Sequence, residues 1–109
     1  MNKMIGQTKI NEIVTKIASV IKPEKIILFG SYANNKANEA SDLDLLVVVR
    51  DSNIPKHKRA RAIRKHLWGI CDRPKDIIVY TEDEIKEWIG VKFSFISNIL
   101  AYGKVVYEN

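Results

Sequence analysis

Ser41-Asp42-Leu43-Asp44-Leu45-Leu46-Val47-Val48-Val49 is the stretch that decides the fold. From Leu43 to Val49 it is apolar and rich in β-branched side chains except at Asp44, and it ends at the turn-forming cluster Arg50-Asp51-Ser52-Asn53. This pattern predicts a largely buried strand. Side chains alternate along a strand, so Asp42 and Asp44 point the same way while Leu43 and Leu45 face the core. Two carboxylates so placed repel each other unless a proton or a cation intervenes. Asp42 has a structural alternative as a turn former beside Ser41, whereas an acid inside a Leu-Val run has few structural uses.

Upstream, Ile26-Ile27-Leu28-Phe29 is too short for a helix and closes on Gly30-Ser31, which predicts a buried strand running into a turn. Tyr32 to Ser41 is small and polar, a surface loop that a short helical turn can open, with Asn34 and Asn35 suited to left-handed backbone. Ile10, Ile13, Val14, Ile17 and Ile21 recur at helical spacing, predicting an amphipathic helix from Thr8, its N-cap, to Ile21, ended by Pro23. Downstream, Lys56 to Cys71 sets Ala60, Ile63, Leu67 and Ile70 on one face and Lys58, Arg61, Arg64 and Lys65 on others, a basic amphipathic helix stopped by Asp72-Arg73-Pro74. Ile77 to Tyr80 predicts a third strand, and Thr81-Glu82-Asp83-Glu84 has the spacing of a capping box for a helix ending near Gly90. Phe93, Ile96, Ile99 and Leu100 predict a last helix ended by Gly103, before a short strand at Val105-Val106-Tyr107. The order of elements implies an α/β (α+β) fold, a small mixed β-sheet covered by helices, with three central strands in its core.

A chain of 109 residues is sized for a single domain, 1–109, and its 46% hydrophobic and 28% charged residues fit a globular protein. Eighteen Lys and Arg against thirteen Asp and Glu give a formal charge of +5, which favours anionic partners such as nucleotides, nucleic acid or acidic protein surfaces. Cys71 has no cysteine to pair with, and there is no Cys/His cluster of metal-binding spacing. No secretory leader and no apolar run of membrane-spanning length is present, so a cytoplasmic location is expected.

Asp76 opens an apolar strand and supplies a third carboxylate, with pairing to Lys75 or Arg73 as its structural alternative. Ligands that are all oxygen suit Mg²⁺ or Mn²⁺, which take one or two protein carboxylates together with phosphate oxygens and water. Three acids can serve two ions, with Asp42 and Asp44 bridging both and Asp76 on the side of the attacking hydroxyl. At Gly30-Ser31 the missing Cβ admits a phosphate close to the backbone, with amides and the Ser31 hydroxyl as donors; that hydroxyl can instead cap the following turn. Neither Gly-x-x-x-x-Gly-Lys-Ser/Thr nor Gly-x-Gly-x-x-Gly occurs. His57 and His66 lie outside the acidic cluster, and Trp68, Trp88 and Tyr102 fall near apolar faces, expected in the core or an interface. The run Lys56-His57-Lys58-Arg59-Ala60-Arg61 reads first as a solvated helix face.

Gly30-Ser31-Tyr32-Ala33 followed by Ser41-Asp42-Leu43-Asp44-Leu45-Leu46-Val47-Val48 resembles the signature of the DNA polymerase β-like nucleotidyltransferase superfamily, and within it the minimal nucleotidyltransferases. Asp76 stands at the position of that signature's third acid. The resemblance implies the small mixed-sheet fold of that superfamily and Mg²⁺-dependent transfer of a nucleoside monophosphate, AMP from ATP, to a hydroxyl. It assigns Asp42, Asp44 and Asp76 to metal and catalysis and Gly30 and Ser31 to the nucleotide phosphates. It also implies a partner, a helical HEPN ribonuclease toxin whose tyrosine receives the AMP and for which the chain is the antitoxin, in a homo- or hetero-oligomer. One departure stands out: Asn34-Asn35 occupy the place where family members often carry Arg-Gly. A non-catalytic antitoxin that neutralises by binding, and a nucleic-acid-binding module using helix 56–66, are the alternative readings.

Overall fold

The computed structural model describes residues 5–71, 74–91 and 94–109. Four strands form one mixed sheet in the order β3-β2-β1-β4, with β1 Lys25–Phe29, β2 Leu43–Val49, β3 Lys75–Thr81 and β4 Lys104–Glu108. β1 runs antiparallel to both β2 and β4, while β2 and β3 are parallel. A parallel pair needs a crossover, which α2 Lys56–Arg64 supplies. The remaining helices are α1 Gln7–Ile21, α3 Glu82–Ile89 and α4 Phe95–Tyr102.

β2 occupies the expected residues and is buried on both faces, which explains its almost unbroken apolar run. Leu43, Leu45, Val47 and Val49 join the large core beneath α1 and α2, together with Ile13, Ile17 and Ile63. Leu46 and Val48 face the other way into a second, smaller core with Ile27, Ile96 and Ile99. The apolar side is therefore not confined to the Leu43 and Leu45 face. Asp42 and Asp44 share parity with Leu46 and Val48, so the carboxylates stand at one end of the face that α4 covers.

Several boundaries differ from those the sequence predicts. α1 starts one residue before Thr8 and its N-cap is Gly6, because buried Ile5 pins the entry by donating its amide to Tyr32 Oη at 2.9 Å. At its other end Lys22 turns left-handed (φ 54°) before Pro23, donating its amide to the carbonyl of Ala18. α2 ends at Arg64 rather than Cys71: a 3₁₀ turn over Lys65–Leu67 follows, then Gly69 at φ +83° reverses the chain. Leu67 is still buried and Ile70 still packs on the large core, so the apolar stripe serves without helical continuity. The expected stop at Asp72-Arg73 and the expected helical residue Phe93 lie outside the described residues.

The capping box forms as expected, Thr81 Oγ1 accepting from the Glu84 amide at 3.2 Å and Glu84 Oε1 accepting from the Thr81 amide at 2.8 Å. Gly103 ends α4 in extended backbone, and its need for glycine is space, since a Cβ there would meet the Ile99 carbonyl at 2.5 Å and Ile27 Cγ2 at 2.6 Å. Trp68, Trp88 and Tyr102 are exposed, at 86%, 42% and 79%, and take no part in the core. No described helix is long and apolar enough to cross a membrane.

Candidate active site

Antiparallel pairing of β1 with β2 sets Phe29 opposite Asp44, and parallel pairing of β2 with β3 sets Asp44 beside Asp76. Registered neighbours share a face of the sheet, so the end of β1 and the starts of β2 and β3 converge at one end of the molecule. Asp42, two residues before Asp44, is exposed, Asp44 is half-buried and Asp76 is exposed. Burial first, then the charges of Asp76 and Asp42, push the Asp44 carboxyl up to about 6. Each carboxylate is thus felt at Asp44.

Gly30 leaves β1 at φ +74°, and a Cβ on it would collide with Asp44 Oδ2 and lie 3.2 Å from Asp44 Cγ. Glycine is needed there twice, for its left-handed backbone and for the carboxylate packed against it. A single 3₁₀ turn over Gly30–Tyr32 follows, closed by the Ala33 amide on the Gly30 carbonyl at 3.0 Å. The opening amides of such a turn have no partner within it. The Ser31 hydroxyl makes no hydrogen bond among the described residues, so it is not spent as a cap. Its carbonyl accepts from the Lys36 amide at 3.0 Å, which folds the loop back.

Purely structural roles for the acids find little support in their surroundings. Asn38 and Ser41 close the turn before β2, Ser41 Oγ accepting from the Asn38 amide at 2.9 Å and Asn38 Oδ1 from the Ala40 amide at 2.8 Å, and Asp42 has no part in it. Among the described residues Asp76 forms no ion pair, and Lys75 donates its amine to the Cys71 carbonyl at 2.6 Å. Arg73 lies outside them. His57 and His66 are exposed on and after α2, apart from the acids.

Asp44 and Gly30 open onto a cleft of about 320 Å³ whose far wall is α4. Phe95, Asn98 and Tyr102 line it at helical spacing, while Ile96 and Ile99 of the same helix face the second core. Phe95 meets Phe29 edge-to-face with centroids 5.7 Å apart. None of these three is legible as a site residue in the sequence; their one trace is the 95, 98, 102 spacing beside the apolar stripe, whose Ile99 borders the same cleft. Asn34 also lines the cleft, and Asn35 takes φ +62°, the left-handed conformation that a glycine there would adopt freely.

Chemically the acids offer only oxygen, as Mg²⁺ or Mn²⁺ prefers, and their mutual repulsion is what a divalent cation relieves. Among the described residues no three acidic, histidine or cysteine side chains are already closed around one point. Mg²⁺ does not require that, since it keeps waters and shares its coordination with substrate phosphates.

The family model described as "Nucleotidyltransferase domain" matches residues 8–106. A Methanocaldococcus jannaschii protein named as a protein adenylyltransferase is 31% identical over 75 residues, which are 65% of this chain and 75% of that one. In three dimensions the chain is similar to a Sulfolobus solfataricus crystal structure named as a nucleotidyltransferase, with TM-score 0.64, 22% identity, and coverage of 94% of this chain and 79% of that chain. That likeness is one of fold.

Proposed function

The chain belongs to the nucleotidyltransferase domain family, and from that premise we propose that it transfers AMP from ATP to a hydroxyl of a partner protein, as the antitoxin of a HEPN-type toxin in the cytoplasm. One observation carries the reading: a half-buried aspartate, Asp44, sits against the glycine of a phosphate-accessible turn with Asp76 beside it in register and Asp42 on the same face. The M. jannaschii relative's name supports the choice of adenylyl group and protein acceptor.

In this reading the turn amides and the Ser31 hydroxyl hold the triphosphate, and the apolar wall of Phe95 and Tyr102 takes the base, with Asn98 as a polar partner. Asp42, Asp44 and Asp76 are the residues that would hold Mg²⁺, one ion or two. Bound there, Mg²⁺ supplies charge neutralisation at the phosphates and a more acidic acceptor hydroxyl. Asp76, exposed to solvent on the β3 side, receives the acceptor's proton. The acceptor oxygen bonds to the α-phosphorus as the bond to pyrophosphate breaks, so one AMP is attached for each pyrophosphate released. Incubation with labelled ATP, Mg²⁺ and the protein encoded by the adjacent gene tests this. Label on that protein is expected, and its persistence with Asp42→Ala plus Asp44→Ala would refute the assignment.

A second reading, a binding antitoxin without turnover, draws on Asn34. Among the described residues lining the cleft there is no lysine or arginine, and Asn34 is there where relatives of the resembled family often have arginine. If that reading holds, the double aspartate variant still protects cells from the toxin.

A further inference from the structure

On the opposite face of the sheet from the carboxylates, α2 and its 3₁₀ extension carry a surface that the transfer reaction does not use. From Lys56 to Cys71 there is no acidic residue. Arg59 is withdrawn from solvent: its guanidinium donates to Glu84 Oε1 at 2.6 Å and to the Ile54 carbonyl at 3.0 Å. The other five cations, Lys56, Lys58, Arg61, Arg64 and Lys65, are exposed and form no ion pair among the described residues. Lys56, at the start of α2, is engaged elsewhere: its amine lies 3.8 Å from the ring centroid of Tyr80 on the edge strand β3, whose ring packs on the small core.

His57, Arg61, Arg64 and Trp68 follow one another at spacings of four, three and four, and the row ends on an indole that is 86% exposed. Trp68 forms the lip of a cleft of about 400 Å³ with Leu67 and Gly69, and Arg64 and Lys75 contribute its cationic side. An apolar floor, a free aromatic plane and flanking cations form a stacking platform inside an electrostatic track. Single-stranded nucleic acid has the complementary chemistry, with unpaired bases to stack and a phosphate at every step. Duplex offers no unpaired base, and an acidic polypeptide offers charge without rings.

We propose that the basic face of α2, ending on Trp68, binds single-stranded nucleic acid with a base stacked on the Trp68 indole and phosphates along Arg61, Arg64 and Lys65. The surface is independent of the transferase site, so Asp42→Ala plus Asp44→Ala leaves it intact.

Fluorescence anisotropy with a labelled oligouridylate and an oligothymidylate, titrated with the whole chain at several salt concentrations, tests the proposal. Binding is expected to weaken linearly in log salt, and to weaken roughly five- to 150-fold in Trp68→Ala, the range expected when one stacked base is freed. Trp68→Phe is expected to recover most of it, and Trp88→Ala to leave it unchanged. Arg61→Gln plus Arg64→Gln is expected to reduce the salt slope by about 0.7 for each phosphate that is no longer neutralised. Preference for RNA or DNA between the two oligomers identifies the natural source. Absence of binding, equal affinity for duplex, equal affinity for polyglutamate, or a Trp68→Ala variant that is folded by circular dichroism and binds as before would each overturn it.

Discussion

Asp44 is held in an electrostatic conflict that the backbone enforces, because it lies in the middle of a register with Gly30 packed on its carboxylate and two further acids nearby. Its carboxyl is raised from 3.8 to about 6 in the folded chain. A raised folded value means that its favourable contribution is complete below about 3.8 and is lost as pH climbs through about 6. With EDTA present, Asp44→Asn should therefore melt higher than the parent at pH 8, by about 4 °C or more if about 1 kcal/mol is recovered, and the gap should close by pH 4. The same substitution should abolish the proposed adenylyl transfer, and a thermal melt beside a labelling assay separates the two effects. Gly30→Ala asks for positive φ and for room that Asp44 Oδ2 occupies; it should cost about 1–3 kcal/mol in urea unfolding and remove activity. Gly90→Ala is its control, since Gly90 has ordinary φ and nothing within 4 Å of an added Cβ.

Between elements, Arg59 of α2 is tied to Glu84 of α3. Glu84 accepts from Arg59 at 2.6 Å and caps α3 through the Thr81 amide, so one carboxylate secures both a helix start and a neighbouring helix. Burial pushes the Glu84 carboxyl up, but the hydrogen bonds from Arg59 and the Thr81 backbone and the Arg59 charge outweigh it and hold it below its usual value. A depressed value means that stability is present above about 4.5 and drains away as pH falls. Glu84→Gln should lose about 1–2 kcal/mol at pH 7 and lose this acid sensitivity, as pH-dependent denaturation can show. The capping box is legible from Thr81-x-x-Glu84 because caps are local; Arg59 reads as a surface cation because its partner lies 25 residues away. β2 is legible for a similar reason, its apolar run matching burial on both faces. The start of α1 depends on Ile5 meeting Tyr32, and the role of α4 depends on the sheet beneath it, so neither is encoded in local periodicity.

Across the whole molecule the two cores divide the work. The large core under α1 and α2 carries the sheet, while the small one, with Ile27, Leu46, Val48, Ile96 and Ile99, holds α4 over the cleft. Ile13→Ala and Ile99→Ala should each cost about 2–5 kcal/mol, and only the second should also weaken ATP affinity, measured by calorimetry at a temperature where both variants are folded. Asp42 with Asp44 can be paired from sequence because strand alternation is local; that Asp76 joins them follows from parallel pairing, which no local pattern specifies. Ile77, Val79 and Thr81 are buried on one side of β3 and fix which way every second residue looks. One amino acid inserted between Asp76 and Ile77 would leave those three anchored and send the aspartate through to the reverse side of the sheet. The third acid is thus protected by parity: the chain tolerates extra length in the connection before β3, where an odd or even count is immaterial, and none between the acid and its first apolar anchor.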